Sequence, residues 1–256
     1  MVEHRDRSIP TLREELSFSI GSQGETLSGT LISPEEGNSN NEAILFIHGW
    51  QSNRSGYIPR AEALTQLGFQ CMVFDLRGHG DSFGENGDYS RQDHLNDVVA
   101  AFDELALITG LGEDQISTVG ASYGGYLASI LTTLRPVRHL VLRAPSMYSD
   151  DDFTKPTASL DRDKLITLRQ SALKPSDSVA LKAISKYQGS GLLIACENDT
   201  AVPRQTIENY RFALRNNASF EYTVLPNADH NLSTPEYKQR FIDVLTTQFT
   251  RWHNKS

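Results

Sequence analysis

The chain has 256 residues, 38% of them apolar and 22% charged, which suits one large soluble α/β domain or two small ones. Its net charge of −8 disfavours nucleic acid and anionic membranes as partners, since both demand an excess of Lys and Arg. The opening MVEHRDRSIP lacks the apolar stretch of a signal peptide and no apolar run approaches ~18 residues, so a cytoplasmic protein without a membrane span is expected.

Two alternating segments, residues 16–20 and 27–32, flank the polar stretch 21–25 and read as an antiparallel hairpin. After the polar loop EEGNSNNE the pattern changes. Residues 43–47 (AILFI), 71–74 (CMVF), 116–119 (ISTV), 140–142 (LVL) and 192–195 (LLIA) are apolar without alternation, as in parallel strands buried on both faces. FEYTVL at 220–225 adds an eighth strand. Ser90 with Asp93 starts one helix, whose buried stripe is Leu95, Val98, Val99, Phe102 and Leu105. Thr234 and Pro235 start the last helix, with Phe241, Leu245, Phe249 and Trp252 facing inward. Strands alternating with helices predict a three-layer α/β sandwich in a single domain, with a mostly parallel sheet.

One connection is too long for a simple crossover. Residues 178–187 can supply a helix between the strands at 140–142 and 192–195, which leaves about 147–175 to spare. That surplus is polar, with few apolar anchors, and reads as a small cap insertion over the site, or else as a surface excursion.

The chemistry concentrates at residues 120–124, Gly-Ala-Ser-Tyr-Gly. A serine lifted on a sharp strand-to-helix turn needs glycine two residues to either side, and an apolar helix pattern follows at once. Ser122 is therefore the candidate nucleophile. A second GxSxG, at residues 80–84, sits in the turn-forming stretch GHGDSFGENG with no helix directly behind it, so Ser82 reads as a hydrogen-bonded or solvated loop serine. A serine nucleophile needs a base and an acid to orient it, on loops at the carboxyl ends of strands. His230, directly after the last strand, is the expected base. Asp199 is the preferred acid because it stands further out on its turn, with Glu197 as the alternative. The backbone N–H groups of Trp50, after Gly49, and of Tyr123 are the expected oxyanion donors. The Trp50 ring would either wall the acyl pocket or pack under the cap, and His48 should hydrogen-bond its turn. Cys71 and Cys196 lie in strand-like runs and read as buried and reduced rather than nucleophilic. No CxxC or HExxH spacing occurs, so no metal or cofactor is expected.

His48-Gly49, DLRGHGDS from Asp75, GASYGG from Gly120, ENDTAVP from Glu197 and ADH ending at His230 together resemble the α/β-hydrolase superfamily over nearly the whole chain. Within it the chain looks most like small-capped esterases related to serine aminopeptidases, cinnamoyl/feruloyl esterases and dienelactone hydrolases. The resemblance implies Ser122, Asp199 and His230 as the triad, Trp50 and Tyr123 as the oxyanion hole, an eight-stranded sheet and a small-molecule ester as substrate. Ser122 departs from the cysteine nucleophile of dienelactone hydrolase and from the aspartate of dehalogenases and epoxide hydrolases. An aminopeptidase, thioesterase or acyltransferase would use the same machinery, and a binding protein on this scaffold is the reading from a different class.

Overall fold

Eight strands form one sheet in the order β1-β2-β4-β3-β5-β6-β7-β8 in a computed structural model that describes residues 11–20 and 25–255. The strands are β1 (Thr11–Ile20), β2 (Glu25–Pro34), β3 (Ala43–Ile47), β4 (Gln70–Phe74), β5 (Ile116–Ala121), β6 (His139–Arg143), β7 (Ser190–Cys196) and β8 (Phe220–Leu225). β1 and β2 pair antiparallel, β2 joins β4 antiparallel, and β3 through β8 run parallel. The hairpin is longer than the alternation suggested, because the outer halves of its strands are polar and carry no hydrophobic period. Its turn lies outside the described residues.

The apolar runs split between two cores, which is why they do not alternate with polar residues. In β3, Ala43, Leu45 and Ile47 face one side and Ile44 and Phe46 the other; in β6, Leu140 and Leu142 oppose Val141. Helices α2 (Arg91–Thr109), α3 (Tyr123–Leu131), α5 (Val179–Ile184) and α6 (Arg204–Leu214) cover the first core. Helices α1 (Ile58–Thr65) and α7 (Pro235–His253) cover the second. The caps act where the sequence put them: Ser90 and Asp93 form a reciprocal capping box, and the Thr234 hydroxyl accepts from the Tyr237 N–H. Every residue of α3 is buried, as its unbroken apolar pattern requires. Among the described residues no helix is long and apolar enough to cross a membrane.

The connection between β6 and β7 carries α4 (Arg162–Gln170) and short 3-10 turns. It is tied down along its length. The Thr157 and Ala158 amides donate to the Tyr89 and Gly87 carbonyls, and the Gln92 N–H donates to the Phe153 carbonyl. Asn209 of α6 donates to the Ser171 carbonyl and accepts from the Leu173 N–H. Leu160, Leu165, Leu168 and Leu173 pack against the main core, and Met147 and Tyr148 belong to it. The insertion is therefore better anchored than its polar sequence implied. Its leucines are isolated in sequence and converge only when α4 forms.

Candidate active site

The β5–α3 turn explains both of its glycines. A Cβ on Gly120 would stand 2.5 Å from the Gly124 carbonyl oxygen, and one on Gly124 would stand 2.6 Å from that of His48 and closer still to that of Ile47. Ser122 itself takes φ 52° and ψ −114°, a strained conformation for a residue with a side chain. Three hydrogen bonds hold it there: its N–H donates to the Arg143 carbonyl (2.9 Å), and its carbonyl accepts from Tyr126 (3.1 Å) and Ser146 (3.0 Å).

His230 reaches the serine on the loop between β8 and α7. That loop is fastened at several points. The Asn198 N–H donates to the Ala228 carbonyl (2.9 Å), Glu197 accepts the Asn227 N–H (2.7 Å), and Asp229 accepts the Ser233 N–H (2.9 Å). The Arg143 guanidinium donates to the His230 carbonyl at 2.6 Å. Glu197 thus holds the neighbouring turn, while Asp199 faces the imidazole: its Oδ2 lies 2.7 Å from His230 Nδ1. The other carboxylate oxygen accepts the Ala201 and Val202 amides at 2.9 and 2.8 Å, which fixes its plane. An ionised carboxylate only accepts, so Nδ1 carries the proton and Nε2 presents its lone pair to the Ser122 hydroxyl, 3.0 Å away. The arrangement can move a proton from serine to imidazole.

Trp50 follows Gly49 on the loop after β3, and Gln51 turns the chain with φ 57°. Neither the Trp50 nor the Tyr123 amide has an acceptor among the described residues. Three histidines that local sequence left without chemistry build the wall behind Trp50. His48 donates through Nδ1 to the Gly49 carbonyl (2.8 Å) and accepts the Leu76 N–H on Nε2 (3.1 Å), tying the Trp50 loop to the end of β4. His94 donates through Nε2 to the Arg77 carbonyl (3.2 Å), leaving Nδ1 to accept from the Tyr123 hydroxyl at 2.7 Å. His79 donates to the Arg77 carbonyl (3.1 Å) and accepts from Asn86 (3.0 Å). Burial pushes His48 down to about 4 and, aided by neighbouring His79, His94 down to about 3, so both stay neutral. The Trp50 ring meets His79 at 5.0 Å, Tyr123 at 5.5 Å and His94 at 6.0 Å, each edge-on. It lines a cleft of about 570 Å³ shared with Tyr148, Leu165 and Arg169 below α4. A second cleft, of about 430 Å³, opens on Ser122 and His230 from the side of α1 and α7.

Ser82 has a different life. Its hydroxyl donates to the Asp75 carbonyl (2.6 Å) and accepts the Ser28 N–H (2.9 Å), so it stitches the β4 loop to the hairpin. Cys71 and Cys196 are both buried and unpaired, and burial pushes the Cys71 thiol up to about 12. Arg143 and His94 escaped the sequence reading. The first ends an ordinary strand and the second lies inside a helix, and neither carries a local signal of its long-range partner.

A family profile described as serine aminopeptidase, S33, matches residues 38–209. The chain belongs to this serine aminopeptidase S33 family. Ser122 and Asp199 lie within the matched segment and His230 beyond it. S33 membership makes the protein an α/β-hydrolase, and solved structures share the fold. An esterase from Pyrococcus furiosus superposes with a TM-score of 0.70 at 20% identity, covering 94% of this chain and 91% of that one. Est1E from Butyrivibrio proteoclasticus, solved with ferulic acid, gives a TM-score of 0.70 at 16% identity, covering 94% of this chain and all of its own. In sequence, an uncharacterised Mycobacterium tuberculosis protein is 29% identical over 199 residues, 77% of this chain. The match spans 66% of that protein, just under two thirds of its length.

Proposed function

We propose that this S33 hydrolase cleaves carboxylic esters through an acyl-enzyme. Ser122 Oγ attacks the carbonyl carbon while His230 Nε2 takes its proton. The Trp50 and Tyr123 amides receive the oxyanion; one such donor is typically worth about 3–4 kcal/mol. Collapse expels the alcohol, which leaves with the proton from His230. Water then attacks the acyl-enzyme by the same route, releasing the acid and restoring Ser122. Asp199 keeps the proton on Nδ1 and stabilises the imidazolium. The segment around α4 acts as a cap that selects substrates from above Trp50.

The observation that carries this reading is the pair of hydrogen bonds on the His230 ring, 2.7 Å to Asp199 and 3.0 Å to Ser122. An ester is favoured over an aminopeptidase substrate because a free ammonium needs a carboxylate to receive it, and among the described residues no Asp or Glu lines the cleft at Ser122. Thioesters and acyl transfer would use the same steps with a different leaving group or acceptor.

Labelling with a fluorophosphonate tests the nucleophile, since the reagent needs both an activated hydroxyl and an oxyanion hole. Ser122 should carry the adduct and Ser122→Ala protein none; an adduct elsewhere, or none on folded wild type, overturns the mechanism. A panel of p-nitrophenyl esters, acyl-CoAs and aminoacyl-p-nitroanilides tests the substrate class, with the esters expected to turn over fastest.

A further inference from the structure

The cleft of about 430 Å³ at Ser122 lies between the loop that leads into α1 and the His230 loop with the start of α7. Among the described residues that line it, three side chains, Arg60, Arg143 and Lys238, are cationic and none is acidic. In a chain of net charge −8 this is a local inversion of sign.

The two arginines are held rather than splayed into water. Arg143 is only 7% exposed, and Arg60 is half-buried. Both guanidinium carbons stand over the buried Phe241 ring, Arg60 at 5.6 Å and Arg143 at 5.8 Å. Arg60 also stacks over Tyr57 at 5.5 Å and donates through Nη1 to the Gly56 carbonyl. Arg143 donates through Nη1 to the His230 carbonyl. Arg54, Arg77, Arg135 and Arg251 all have carboxylate partners. Arg60 and Arg143 have none within ion-pair distance among the described residues, and Arg60 Nε is buried without any acceptor. Burial, with the repulsion of nearby Arg143, pushes the Arg60 guanidinium down. Two like charges packed together without a counter-charge cost stability. A ligand anion would offset that cost, and guanidinium forks fit the two oxygens of a carboxylate.

We infer that Arg60 and Arg143 form a subsite for a substrate carboxylate, so that the preferred esters are anionic ones whose carboxylate reaches this pair while the ester carbonyl sits at Ser122. The inference rests on the reading of Ser122 as an ester-cleaving nucleophile. Arg143 then has two tasks, since it fixes the His230 carbonyl and faces the bound anion. Substrate charge and the position of the base would be joined through one side chain.

Two matched ester pairs test this. The carboxylate sits on the acyl side in the p-nitrophenyl half-ester of adipate, compared with its methyl ester. It sits on the leaving-group side in 4-butyryloxybenzoate, compared with its methyl ester. At least one pair should show a tenfold or greater preference in kcat/KM for the anionic member, and Arg60→Gln should reduce that preference at least tenfold. Equal or better turnover of the neutral member in both pairs overturns the inference. So does a preference that survives both Arg60→Gln and Arg143→Gln in variants shown by circular dichroism to be folded. If no ester of either kind is hydrolysed, the ester reading itself fails. Calorimetry of monomethyl adipate on Ser122→Ala protein then decides the arginine pair separately. Binding that Arg60→Gln weakens at least tenfold supports the subsite, and no binding overturns it.

Discussion

Arg143 donates to the main-chain carbonyl of His230 at 2.6 Å, and its own carbonyl accepts the Ser122 N–H at 2.9 Å. A single residue at the end of β6 therefore sets the separation between the proposed nucleophile and its base. Because the guanidinium acts on the backbone of His230, it controls where the ring sits without touching the reacting atoms.

Replacing Arg143 with Met should lower kcat on a neutral ester by about 10–100-fold, the scale expected when catalytic geometry loosens by about 1 Å. Arg143→Lys, which keeps a donor but loses the fork, should fall between. Steady-state kinetics check this, and an Arg143→Met enzyme with wild-type kcat would remove the positioning role.

Crowding at the elbow makes a stability prediction. Gly124→Ala would drive a Cβ into the carbonyls of Ile47 and His48, which are backbone and have nowhere to go. The loss should exceed about 3 kcal/mol, at the top of the usual range for overpacking. Urea unfolding measures it. Gly37→Ala is the contrast: nothing lies within 4 Å of its Cβ position, so only its φ of 86° opposes the change, at about 1–2 kcal/mol.

Much of this geometry was readable from local sequence because it is enforced locally. The glycines at 120 and 124 are dictated by the turn they make, and every residue of β3, β5 and β6 is buried because helices cover both faces. Asp199 could be preferred over Glu197 because the strand end and the turn residues are both visible in the chain. Arg143 and Arg60 could not be found this way. Each resembles an ordinary surface arginine until β6 and α1 come together around Phe241. The ring of His48, His79 and His94 behind Trp50 has the same character, since its members come from three separate segments. The hydroxyl that fixes His94 belongs to Tyr123, whose backbone alone had been given a role.

Ser82 and Ser122 share a pentapeptide pattern but should respond oppositely to alanine. Ser122→Ala should abolish fluorophosphonate labelling and reduce kcat by up to ~10⁶ if its triad behaves like that of subtilisin. Ser82→Ala should leave labelling intact and cost about 1–3 kcal/mol of stability, because the Ser28 N–H and the Asp75 carbonyl both lose their partner. Labelling and urea titration of the two variants side by side distinguish the roles. Loss of labelling in folded Ser82→Ala protein would contradict the assignment.

The buried histidines predict how stability depends on pH. His48 and His139 are pushed down to about 4 and His94 to about 3, chiefly by burial. A group with a lowered folded-state value stays neutral in the native protein while the unfolded chain takes up a proton near pH 6.5. Unfolding is thus linked to proton uptake, and stability is present above pH 6.5 and lost as pH falls toward 4. His139 isolates the effect because it lies away from Ser122, stacked on Trp252 at 4.5 Å and 12°. Both of its ring nitrogens are buried without hydrogen-bond partners among the described residues. His139→Phe keeps a flat ring against Trp252 and removes the titrating group. The variant should be as stable as wild type or more so at pH 7, since it no longer buries unpaired nitrogens. Its loss of stability between pH 7 and pH 4.5 should be smaller than that of wild type by about 2 kcal/mol. Urea midpoints at the two pH values measure both quantities. An unchanged pH dependence would mean that His139 is not held neutral by its surroundings.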